Sequence, residues 1–90
     1  MNPTELIRVL GPILFGPRWQ TDMAVTLGIN PRSVRRWAAG DDIPRAGVWA
    51  ELARMMRTRQ EEFARLLPLV KRQAGAETDV GAEAWATRRT

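Results

Sequence analysis

Arg32, Arg35 and Arg36 are spaced three and four residues apart, the spacing of neighbours on one face of a helix. No acidic residue lies between Asn30 and Gly40 to neutralise them. A guanidinium is a planar fork that matches phosphate oxygens and the O6/N7 edge of guanine. Three on one face point to a polyanion, and to base edges if that face can enter a groove. The wider composition agrees without deciding. The 90 residues carry +4, from fourteen basic and ten acidic side chains, and Lys71 is the single lysine beside thirteen arginines. A GC-rich coding sequence also raises Arg and Ala, so placement matters more than the count.

Other chemistries have little to work with. There is no Cys, no His and no Tyr. Disulfides, thiolate zinc sites, cysteine nucleophiles and the usual general base are therefore excluded. As an adjacent carboxylate pair, Asp41 and Asp42 hint at acid/base work or a cation. With no further ligand type nearby they read as a solvated loop. No enzymatic activity, cofactor or metal is expected. No stretch approaches the length of a membrane span, and a cytoplasmic location is expected.

The elements that must position the arginines are marked by Pro and Gly. Asn2 caps a first helix with Pro3 at its first turn and Glu5 completing a capping box. Leu6, Ile7, Leu10, Ile13 and Leu14 recur at helical spacing, with a kink or break expected at Gly11-Pro12 and an end at Gly16-Pro17. A second helix carries Trp19, Met23, Ala24 and Leu27 and exits at Gly28. A third starts with Asn30 as cap and Pro31 in the first turn, turns Val34 and Trp37 inward and stops before Gly40. Residues 40–47 read as a loop. Residues 48–73 form the longest periodic stretch, with a kink or end expected near Leu67 because of Pro68. The fold class is all-α, a helix-turn-helix domain of four to five helices with a long C-terminal helix. Three segments are expected: 1–56 as the domain, 57–73 as a helical extension, and 74–90 as a mobile tail in which Trp85 could dock.

The segment Gln20 to Trp37 meets the demands of two short helices joined by a tight turn. Ala24 is small where the helices cross. Gly28, four residues on, tolerates positive φ. Ile29 plugs the junction, and Met23, Leu27, Val34 and Trp37 supply the shared core.

The pattern Gln20-x-x-Met23-Ala24-x-x-Leu27-Gly28-Ile29-x-x-x-x-Val34-x-x-Trp37 resembles the helix-turn-helix of phage-type repressors. The continuation Trp37-x-x-Gly40-x-x-x-Pro44 is similar to the Xre-like branch, over roughly residues 18–56. The resemblance implies that Arg32, Ser33, Arg35 and Arg36 read base edges in the major groove. It implies that Gln20 and Thr21, at the start of the second helix, meet a phosphate. Asn30, Arg18 and Arg45 are further phosphate candidates. The sequence departs from the family at Pro31, where many relatives carry a base-reading polar side chain. The implied function is a sequence-specific regulator of transcription, a repressor acting on double-stranded DNA. A protein-interaction module of antitoxin or adaptor type, and RNA binding through the same basic face, are the alternatives.

Beyond that segment, Trp49, Leu52, Met56, Arg59, Phe63, Leu66 and Val70 advance in steps of three and four, widened by Met55, Leu67 and Leu69. Trp49, Leu52, Met55 and Met56 are expected to cover the helix-turn-helix core. The remainder needs another partner, either a second copy or the first helix. A homodimer through Arg59, Phe63, Leu66, Leu67 and Val70 is expected, and a two-fold dimer reads an inverted repeat with half-sites about 34 Å apart. A protein partner on the same helix is the further possibility.

Overall fold

The computed structural model describes residues 1–75, and the expectations for the tail and Trp85 lie outside them. Four helices follow one another: α1 (Pro3–Phe15), α2 (Trp19–Leu27), α3 (Pro31–Ala39) and α4 (Ala46–Ala74). No strand occurs among the described residues, so the fold is all-α with a long last helix.

The helix ends follow from local chemistry. Asn2 Oδ1 accepts from the Glu5 N–H at 2.8 Å, and Asn2 Nδ2 donates to Glu5 Oε1 at 3.0 Å. The two residues thus cap reciprocally, although Glu5 engages the Asn2 side-chain amide and not its backbone N–H. Gly16, Gly28 and Gly40 close α1, α2 and α3 with φ of 84°, 67° and 86°. An L side chain is strained in that region, which is why glycine serves as the exit.

At both prolines the helix runs on, so neither a break at Gly11-Pro12 nor an end near Leu67 occurs. α1 continues through Pro12 and α4 through Pro68. Each proline removes one N–H and crowds the preceding turn. In α1 the loss is offset because Leu10, Gly11 and Leu14 are buried on both sides of Pro12, while Pro12 itself is exposed. Pro68 is likewise exposed. The loop expected over 40–47 is shorter, since α4 already begins at Ala46 and includes Gly47.

The chain divides into two compact units, Met1–Met56 and a second from Arg57 onward. The core of the first consists of Ile7, Leu10, Leu14, Met23, Ala24, Val34, Trp37 and Leu52. Every helix contributes, and no polar or charged side chain is buried among them. Phe15, Trp19, Leu27, Ile29, Val48, Trp49 and Met55 pack around this cluster. Leu6 and Ile13 are exposed, as is Met56, so the expected cover over the core is narrower than the periodicity suggests. Met56 instead edges a shallow apolar groove of about 250 Å³ with Leu6, Leu10, Trp49, Leu52 and Ala53.

Gly11 has a function that periodicity hides. A Cβ placed there would stand 2.9 Å from Trp19 Cγ and closer still to Cδ2 and Cε3. The indole therefore lies directly against the α1 backbone. Gly11 is the contact surface on which α2 docks, where the sequence suggested only a weak point in α1.

Candidate nucleic-acid interface

α2, the turn Gly28–Asn30 and α3 form one locked unit. At the end of α2 the Ile29 N–H reaches the Ala24 carbonyl at 3.0 Å, and the Gly28 N–H reaches Val25 at 3.2 Å. Asn30 is extended, with φ −66° and ψ 131°, and its Oδ1 accepts from the Arg32 N–H at 2.9 Å. Pro31 follows at the first helical position, where its missing N–H costs no bond. α3 ends with the Asp41 N–H on the Arg36 carbonyl at 3.0 Å.

Met23, Ala24, Val34 and Trp37 are buried at the centre of this unit, and Ile29 packs against them. Burying Val34 and Trp37 fixes which side of α3 faces out. Arg32, Arg35 and Arg36 lie on the opposite side and are all exposed. None of the three forms an ion pair with a described residue. The single ion pair among those residues joins Glu51 and Arg54 on α4, where the Arg54 hydrogen bond holds the Glu51 carboxyl below its usual range. The face is therefore positive and uncommitted. Arg36 also stands in the last turn of α3, where the helix dipole favours a cation.

Ser33 does not share that face. It is half-buried and lines an open concavity of about 790 Å³ with Ile29, Trp37, Asp42, Ile43 and Arg45. Ser33 and Arg45 are thus brought together beside the arginine face. Asp42 accepts the Ile43 N–H at 2.9 Å through Oδ1, so it acts as a turn residue. Among the described residues no group of three or more metal-ligating side chains gathers, and no helix is long and apolar enough to cross a membrane.

The phosphate candidates fall in different settings. Arg18 occupies the N-cap of α2 without making a side-chain cap, so the first N–H groups of α2 have no intrahelical or side-chain partner. Thr21 is exposed there, Gln20 is half-buried, and the exposed Asp22 in the same turn opposes an anion. Asn30 has its oxygen committed to the cap, which leaves only its amide nitrogen to donate outward.

One residue that sequence reasoning missed is Arg8. Its Nε donates to the Ala38 carbonyl in the last turn of α3. This ties the far end of the arginine-bearing helix to α1. A contact thirty residues apart in sequence leaves no local signal, so neither spacing nor composition could disclose it. No protein-family model matches the chain, and neither a curated protein nor a solved structure matches it.

Proposed function

We propose that this protein binds double-stranded DNA with α3 in the major groove and regulates transcription by occupying its operator. It would act in the manner of the small Xre-like regulators that its sequence resembles. The observation that carries this reading is the exposed face of Arg32, Arg35 and Arg36. It is held outward by the burial of Val34 and Trp37 and carries no acidic partner among the described residues. Two guanidinium groups on successive turns can each take a guanine O6 and N7 in a bidentate contact. Arg45 flanks this face and suits a phosphate, as does Arg18 beside the open start of α2. Ser33, in its half-buried concavity, suits a flanking backbone contact better than a base edge. Recognition thus rests on the three arginines, consistent with Pro31 donating nothing at the start of the helix.

Selection of bound fragments from random duplex DNA, followed by titration with Arg35→Ala and Arg36→Ala over a salt series, tests this. Each substitution should cost about 1–3 kcal/mol on the selected sequence and relax its preference at one position. An equal loss on every sequence would reassign the residue to phosphate. Failure to bind any duplex at low salt would remove the reading, and preference for duplex RNA in a parallel titration would replace it.

A further inference from the structure

The expected dimer residues Phe63, Leu66, Leu67 and Val70 are exposed on α4, and Arg59 is half-buried. The first unit holds a more specific feature, the concavity beside the arginine face. Its volume of about 790 Å³ lies within the range of small-molecule pockets. Ser33 and Trp37 are four residues apart, so they share one side of α3 and line the concavity together. Ile29, Ile43, Pro44 and Val48 supply apolar surface. Ile43 is 58% exposed, a large apolar side chain left in water at this site. Its N–H is held by Asp42 Oδ1 at 2.9 Å, which fixes the turn that carries it.

The polar side chains that line the concavity leave bonding groups unused by the fold. Trp37 is only 6% exposed, yet its indole N–H bonds to no described residue. No enclosed side-chain nitrogen or oxygen among the described residues lacks a partner, so this N–H must reach the surface. An indole N–H in so buried a ring normally finds an acceptor. The half-buried Ser33 hydroxyl likewise bonds to no described residue. Arg45 and Asp42 both line the concavity, three residues apart, and form no ion pair with each other or with any other described charge. A cation, a carboxylate and two neutral donors thus stand beside apolar walls. A carboxylate on Arg45, Trp37 and Ser33, an ammonium on Asp42 and an apolar body against Ile29, Ile43 and Val48 would satisfy them all.

We propose that this concavity binds a free α-amino acid with an apolar side chain. On the DNA-binding reading, the ligand and a phosphate compete for Arg45, so the amino acid acts as an effector. Ligand binding is measured without DNA, so the two readings fail separately. The isotopically labelled protein is titrated with L-phenylalanine and with L-leucine at constant pH and ionic strength, and followed by nuclear magnetic resonance. The Trp37 indole N–H resonance should shift saturably with a Kd of about 1 mM or tighter, as suits a ligand of about a dozen heavy atoms. The Ser33 and Ile43 amide resonances should move with it. Hydrocinnamate, which lacks the ammonium, and phenethylamine, which lacks the carboxylate, should each bind about fivefold or more weakly. Arg45→Gln should weaken L-phenylalanine by about fivefold or more and leave phenethylamine unchanged. Asp42→Asn keeps the oxygen that holds the Ile43 N–H, and should weaken L-phenylalanine while leaving hydrocinnamate unchanged. No saturable shift with either amino acid up to tens of millimolar would overturn the proposal. So would equal binding of L-phenylalanine and hydrocinnamate. A response to inorganic phosphate with none to L-phenylalanine would also overturn it and make the concavity a plain anion seat.

Discussion

Replacing Gly11 with Ala sets two effects of opposite sign against each other. In an isolated helix, Gly→Ala stabilises by about 1 kcal/mol, because alanine leaves less backbone freedom to lose. Here the added methyl points at the Trp19 ring, 2.9 Å from Cγ and nearer to two further ring atoms. Carbon atoms need roughly 3.5–4.0 Å, so the contact cannot be absorbed without movement. The obstacle is a rigid bicyclic ring, already packed against the core at the first position of α2. Either the indole leaves its rotamer or α2 shifts away from α1. Overpacking of this kind costs about 1–3 kcal/mol, and the forced shift of a whole ring places this site at the upper end. The expected net effect is a loss of about 1–2 kcal/mol. Urea unfolding followed by circular dichroism gives the number. Trp19→Ala supplies the control, because with the ring gone the same glycine substitution should become neutral or stabilising. A Gly11→Ala protein as stable as the parent, or equal effects in the two backgrounds, would refute the close-packing argument.

Three further outcomes follow from the same geometry. Gly28→Ala should destabilise by about 1 kcal/mol through backbone strain alone, since φ is 67° and a Cβ there meets nothing within 4 Å; Gly28→Asn should cost less in the same denaturation assay. Asn30→Ala removes the cap on the Arg32 N–H and should cost about 0.5–2 kcal/mol, whereas Asn30→Ser should retain most of the stability. Arg8→Gln leaves the Ala38 carbonyl to water and should cost about 1 kcal/mol or less; hydrogen exchange should speed up first in the last turn of α3.

The sequence discloses most where one residue type has one physical use. Gly28 and Gly40 at positive φ, Asn2 and Asn30 as caps, and Pro3 and Pro31 in first turns all stand where local chemistry requires them. The outward face of Arg32, Arg35 and Arg36 follows from periodicity once Val34 and Trp37 are known to point inward. What was hidden is tertiary. Pro12 and Pro68 read as a kink or a stop because propensity counts the lost bond; at Pro12 it cannot see the packing on either side that lets the helix run on. Gly11 read as part of that break because its value is the space it leaves for Trp19. Ser33 has the right sequence position for a base contact, yet the loop bearing Ile43 and Arg45 folds beside it and makes it half-buried. Arg8 owes its role to a neighbour that only the folded chain supplies.

The arginine face has a consequence for how such a protein changes over time. Val34 and Trp37 carry the packing of α3, while Arg32, Arg35 and Arg36 make no ion pair with any described residue and are fully outside the core. Substitution at such exposed positions typically shifts stability by no more than about 0.5 kcal/mol. Mutational drift can therefore rewrite this face one residue at a time while the scaffold beneath it stays intact. Descendants that keep the same glycines, caps and core could diverge in what they recognise, and the scaffold could accept a transplanted set of outward residues without redesign.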